Sequence, residues 1–205
     1  MIIGFQKQFL SSKYLVDEVE SFQTSIFDFK LEYLWVDDQS TCYGELLHEI
    51  KKSENNIENM VVLGSSIEYL RFFEKFYRQK TQKATKISFE TQQEYEDIER
   101  KLDENEKLDK EKKSNMIKTL CEEIRKDRKL NFWSESRSGH ELKISTIQSF
   151  KGMEMDNVIL LIGENDREEL VYTGITRARK KLVIINNGNG KYHDFFAKCS
   201  ILKAA

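Results

Sequence analysis

Two short stretches of this sequence concentrate side chains suited to handling phosphate. The first, Lys143 to Leu160, reads KISTIQSFKGMEMDNVIL. An apolar run ends at Thr146 and Ile147, a turn rich in hydroxyls and bearing a lysine follows, and a second apolar run begins at Asn157. Ser145, Thr146, Ser149 and Lys151 supply hydroxyl and ammonium donors that match phosphate oxygens. Gly152 has no side chain to hold a ligand away from the backbone, and Glu154 offers an acceptor for a sugar hydroxyl. Polar connections between strands are common, so an ordinary surface loop is the competing reading of these residues taken alone.

The second stretch, Glu168 to Ile185, reads EELVYTGITRARKKLVII. Leu170, Val171, Ile175 and Ala178 fall on one face of a helix expected over Glu168–Ala178. Gly174 inside that helix costs about 1 kcal/mol relative to alanine, which makes sense where another backbone or a ligand comes close. Arg177, three residues on, is expected on the same side as Gly174. Its guanidinium is a permanently charged planar fork that fits a phosphate. The competing reading is a surface arginine within the basic cluster Arg177, Arg179, Lys180 and Lys181.

Apolar runs that alternate with helical patterns are expected to carry these stretches. Strands are expected at Leu31–Val36, Asn59–Leu63, Lys86–Phe89, Leu142–Ile147, Asn157–Ile162 and Lys181–Ile185, each rich in Val, Ile, Leu or aromatics. Helices are expected at Ser11–Phe22, Tyr43–Lys52, Ser66–Gln79, Glu168–Ala178 and Tyr192–Cys199. Ile67, Leu70, Phe73 and Tyr77 give the third of these a buried face, with Ser65 or Ser66 to cap its start. Strand–helix alternation of this kind implies an α/β fold with a parallel sheet flanked by helices. The segment from Thr91 to Leu130 departs from it: Glu94 to Lys113 holds 15 charged residues in 20, acids and bases interleaved. Its sparse apolar residues, among them Tyr95, Ile98, Leu102, Ile117, Leu120, Cys121 and Ile124, sit at helical spacing, which reads as a pair of exposed helices with a thin apolar stripe.

Several function classes are set aside. No G-x-x-x-x-G-K-[ST] phosphate loop occurs; the nearest approach, Gly188-Asn189-Gly190-Lys191, is followed by Tyr192 and reads as a turn after a strand. Cys42, Cys121 and Cys199 form no CxxC pair, and His48, His140 and His193 are equally scattered, so no disulfide framework and no metal site are expected. That cysteine usage makes a reducing cytoplasm the expected compartment; the apolar runs fall short of the ~20 residues that span a bilayer, and no secretory signal is visible. With 33 Lys plus Arg against 35 Asp plus Glu, any grip on nucleic acid must come from a local patch.

In order and spacing the two stretches resemble motifs V and VI of UvrD/PcrA/Rep-type superfamily 1 DNA helicases, whose typical forms are T-x-H-x-x-K-G-L-E-x-D-x-V and Y-V-x-[IL]-T-R-A. Here they stand as Thr146, Gln148, Lys151, Gly152, Met153, Glu154, Asp156 and Val158, and as Tyr172, Thr173, Gly174, Ile175, Thr176, Arg177 and Ala178. MVVLGSSIEYLRFFEKF resembles the strand–helix unit earlier in the same lobe. The resemblance implies one RecA-like C-terminal lobe over 1–205, with the charged helical segment 91–130 inserted before the motif V strand. It implies that Arg177 is catalytic, reaching the γ-phosphate of ATP, with Gly152 and Glu154 at the nucleotide and magnesium held mainly by an N-terminal lobe in cis or in trans. Thr146, Gln148, Ser149 and Lys151 would contact single-stranded DNA, or RNA, and the chain by itself would be inactive. Two departures stand out: Gln148 replaces the usual motif V histidine, and laying Gln8 to Lys13 on motif IV puts Leu10 where a phosphate-contacting arginine is expected. They favour the alternative of a degenerate standalone module that binds nucleic acid or protein without catalysis; retention of both Glu154 and Arg177 argues against it.

Overall fold

A computed structural model of the chain describes residues 29–104, 109–134 and 141–198. The expected helix Ser11–Phe22, the motif IV alignment around Leu10, and Cys199 lie outside them. Six strands form one sheet: β1 (Lys30–Val36), β2 (Met60–Gly64), β3 (Thr85–Ile87), β4 (Leu142–Thr146), β5 (Met155–Ile162) and β6 (Ala178–Asn187). Their order is β1-β6-β5-β2-β4-β3 and every neighbouring pair runs parallel. Six α-helices connect or follow them: α1 (Gln39–Lys52), α2 (Ile67–Thr81), α3 (Gln92–Asp103), α4 (Lys110–Asn131), α5 (Glu168–Ile175) and α6 (Gly190–Lys198), with a short 3-10 turn at Glu54–Asn59.

A parallel sheet buries both faces, and the central strands here are apolar on both, as that requires. On one face Val61, Leu63, Val158, Leu160, Ile162, Leu182 and Ile184 pack against α5, α6 and the turn that follows β4. On the other, Val62, Ile144, Ile159, Leu161, Val183 and Ile185 meet Cys42, Leu46 and Ile50 of α1 and Leu70, Phe73 and Tyr77 of α2. Buried Glu49 of α1 pairs with Lys52 and, at 3.6 Å, with Lys181 of β6, which pins that layer to the sheet. Ser66 caps α2 by accepting the Tyr69 amide at 3.2 Å. After β6, Gly188 takes a φ of 77° and Asn189 hydrogen-bonds back to Asn186, so the glycine-rich stretch is a turn that starts α6.

Burial also governs the thiols. Cys42 and Cys121 are free and 0% and 1% exposed, and desolvation pushes the Cys42 thiol up to about 11. Both are expected to resist a thiol reagent at pH 8 in the folded protein and to react when it unfolds. Mass mapping of the alkylated sites checks this; modification of Cys42 in the native state would contradict the burial described.

The charged segment forms a helical hairpin, α3 and α4, inserted between β3 and β4. Thr91 and Glu94 start it with a reciprocal capping box, and Asp109 caps α4. Only Leu102 and Cys121 supply its buried apolar residues within the helices, as the thin stripe implied. Its hold on the lobe is ionic instead. Glu90, fully buried, accepts Arg71 Nη1 of α2 at 2.9 Å and both Nε and Nη2 of Arg125 from α4 at 2.7 Å. The Arg71 guanidinium also lies 3.8 Å from the Tyr95 ring of α3. Arg128 extends this grip by bonding the Phe89 carbonyl and both carboxylate oxygens of Glu94.

Candidate functional site

In a parallel sheet all carboxyl ends face one way, and the motif turn after β4 travels from that edge to the opposite one. Thr146 closes β4 at the carboxyl edge, beside Gly64 at the end of β2. The Ile147 amide donates to the Gly64 carbonyl at 3.0 Å, and the Thr146 hydroxyl accepts the Ser149 amide at 3.1 Å. Ile147 and Phe150 are buried, so the turn covers the sheet face where a helix would otherwise lie. Gln148 and Lys151 are exposed, Ser149 is half-buried, and Thr146 and Ser145 are buried. Ser145 shares its hydroxyl with Ser88 at 2.8 Å, which takes it out of the set available to a ligand.

At the other end of the turn, Gly152 has a φ of 86°, a left-handed value that penalises any other residue. A Cβ there would meet nothing within 4 Å, so the glycine is needed for its backbone conformation and leaves the space beside it open. Glu154 follows, exposed, immediately before β5 at the amino edge. Arg177 immediately precedes β6. Met155 is in register with Ala178, and the Met155 amide donates to the Arg177 carbonyl at 2.9 Å. Glu154 and Arg177 therefore stand at the same edge of the sheet, on adjacent strand starts.

The helix carrying motif VI stops earlier than its apolar pattern suggested. α5 ends at Ile175 and β6 begins at Ala178, so Thr176 and Arg177 form a two-residue junction. Helical spacing between Gly174 and Arg177 therefore does not apply; the Arg177 amide instead closes a turn on the Gly174 carbonyl at 3.1 Å. Gly174 owes its presence to packing: an added Cβ would lie 2.5 Å from Leu160 Cδ1, on the central strand beneath α5. Leu160 is fully buried and has little room to yield. Gly174→Ala is expected to destabilise the fold by roughly 1–3 kcal/mol, the usual cost of overpacking. Urea unfolding of that variant, of Leu160→Ala and of both together checks it; additive costs would show that the two sites do not collide.

Arg177 is held in place by its neighbours. Nε donates to the Thr173 carbonyl at 3.0 Å, Nη2 to the Thr176 hydroxyl at 2.8 Å and Nη1 to the Met153 carbonyl at 3.1 Å. A guanidinium has five N–H groups. One hydrogen on each terminal nitrogen is thus uncommitted, and no carboxylate among the described residues neutralises the charge. The neighbouring Arg179 and Lys180 differ, since both lie against Asp156, at 3.8 and 2.6 Å. Asp156 thus pairs two members of the basic cluster, while Arg177 bonds carbonyls and a hydroxyl instead.

The structure brings Glu154, Gly152 and Arg177 together at the amino edge and Thr146, Gln148 and Ser149 at the carboxyl edge. Beside the second group lies a pocket of about 410 Å³ whose wall includes Glu122, Arg125, Lys126 and Lys129 of α4. Sequence reading left these residues out, because a charged helix carries no mark of which side faces a neighbour. Among the described residues no group of three metal-ligating side chains occurs, and no helix is long and apolar enough to cross a membrane.

The all-parallel α/β sheet thus presents a restrained arginine and an exposed glutamate on neighbouring strand starts. Residues 142–185, from β4 through most of β6, match the family model of the UvrD-like helicase C-terminal domain. A solved structure with the same fold is the C-terminal domain of a "possible DNA helicase" from Lactobacillus plantarum WCFS1. It superposes with a TM-score of 0.52 at 13% identity, over 91% of this chain and 84% of that one. A comparison with curated proteins finds no match.

Proposed function

We propose that this lobe is the C-terminal motor lobe of an ATP-dependent superfamily 1 DNA helicase, working against an N-terminal lobe that binds the triphosphate. The observation that carries this is the pairing of Arg177 with Glu154 across the Met155–Arg177 hydrogen bond, at the edge opposite Thr146 and Gln148. Arg177 has the free donors and the uncompensated charge that a γ-phosphate oxygen requires, and Glu154 has free acceptors for a ribose hydroxyl. ATP and its magnesium would be supplied on the N-terminal lobe; this chain adds the arginine that stabilises charge on the transferring phosphoryl group. Thr146, Gln148, Ser149 and Lys151 would take the single strand through its phosphates and sugars.

Closure of the two lobes on ATP and reopening after hydrolysis would then alternate the grip on the strand. The test is ATP hydrolysis by the two lobes together, with and without single-stranded DNA. Stimulation that disappears in the Arg177→Ala protein is the expected result. Hydrolysis indifferent to this lobe would overturn the reading.

A further inference from the structure

The hairpin inserted before β4 ends beside the motif turn, and what it places there is suited to a polynucleotide. Lys126 and Lys129 sit three residues apart on α4, so they share a helix face, and both line the pocket that also holds Ser65, Thr146, Gln148 and Ser149. Both are exposed, and neither ammonium makes an ion pair or hydrogen bond among the described residues. The other charged groups of the pocket are Glu122, one turn before Lys126, and Arg125. Arg125 is neutralised by buried Glu90. Two free lysines therefore face one carboxylate.

Immediately after α4, Phe132 is buried while Trp133 remains 45% exposed. Both rings meet Phe150 of the motif turn, Trp133 at a centroid distance of 5.5 Å. An indole packed on Phe150 of the turn, one helical turn past Lys129, joins two unpaired cations to offer the two elements of single-strand binding: a stacking platform and a phosphate track.

We propose that the end of α4 and Trp133 extend the single-strand site of this lobe, with Lys126 and Lys129 taking phosphates and Trp133 stacking a base next to Gln148. This rests on the reading of the motif turn as a strand contact, and it gives the inserted hairpin a role in binding. Glu90 serves it as a positioning residue, since its bonds to Arg125 and Arg71 hold α4 against the lobe.

Binding of a fluorescein-labelled oligothymidylate of about 16 nucleotides, followed by anisotropy across a salt series, tests the proposal with the full chain. The Lys126→Glu/Lys129→Glu variant is expected to bind at least 10-fold more weakly. Its slope of log K against log salt should be shallower by about 1.4, for two lost single-strand phosphate contacts. Trp133→Ala should weaken binding by about 10-fold. In a Trp35→Phe background, where Trp133 is the one remaining tryptophan, oligonucleotide should quench its fluorescence. Circular dichroism establishes that each variant is folded, and Lys110→Glu/Lys112→Glu, at the far end of the same helix, controls for bulk charge.

If the far-end pair weakens binding as much as Lys126 and Lys129, or if binding depends on Gln148 and ignores α4 and Trp133, the extended site is wrong while the motif turn remains a strand contact. If the wild-type chain fails to bind the oligonucleotide even at low salt, the extended site and the strand-binding part of the proposed function fall together. ATP hydrolysis by the combined lobes reports separately on Arg177.

Discussion

Strand-stimulated ATP hydrolysis by the combined lobes should fall by about 10³–10⁵ when Arg177 becomes alanine, the range arginines of this kind contribute to phosphoryl transfer. The effect should appear in kcat and leave KM for ATP little changed, because an arginine in the proposed role would act most strongly on charge that develops in the transition state. Arg177→Lys should recover only part of the loss: an ammonium keeps the charge but cannot hold Thr173, Thr176 and Met153 while presenting a fork. Those three bonds also make Arg177 part of the local structure, so removing it should cost roughly 1–3 kcal/mol of stability. A thermal melt separates that loss from the catalytic one. Hydrolysis that stays within about 10-fold of wild type, with the protein folded, would remove Arg177 from the phosphoryl-transfer step.

Glu90→Ala should be the most damaging single change to stability, at about 3–5 kcal/mol. The carboxylate is fully buried and is the partner of two arginines, and the Arg71 side chain is itself only 8% exposed. Truncating Glu90 leaves a buried guanidinium without its counter-charge, which is far more costly than losing a surface pair. Replacing both charges, as in Arg71→Met/Glu90→Leu, should therefore be less destabilising than Glu90→Ala alone. Urea unfolding of the three proteins decides it. A loss below about 1 kcal/mol for Glu90→Ala would mean that packing, and not this pair, fixes the hairpin to the lobe.

How far these features can be read from sequence depends on the distance over which they are made. β2 and α2 were legible almost to the residue, since Val61 to Leu63, the Ser66 cap and the spacing of Leu70, Phe73 and Tyr77 are local signals. The motif VI helix was overextended because Ala178 continues the apolar spacing, although it belongs to β6 and pairs with Met155. The glycine at 174 was legible as a helix cost, but Leu160 as the reason for it was not, being 14 residues upstream on another element. The Glu90 cluster joins residues 19 and 35 positions apart, and a run of interleaved charges offers no way to tell its partners from solvated neighbours. At the candidate site, residue types and order singled out Thr146, Gln148, Glu154 and Arg177. Their division between two edges of the sheet follows from the register of β5 on β6 and from the path of the turn.

That path has little slack in it. The Arg177 guanidinium holds the Met153 carbonyl, the Met153 amide holds the Phe150 carbonyl at 3.2 Å, and the Phe150 amide holds the Thr146 carbonyl at 3.1 Å. Loops ordinarily absorb insertions and deletions because nothing along them is spoken for. Here the amides of Ile147, Ser149, Phe150, Lys151, Met153 and Met155 are already committed, and Ile147 and Phe150 anchor the turn from below. Adding or removing one residue would move Thr146 relative to Arg177, so the spacing of this segment is as much a part of the device as the side chains it bears.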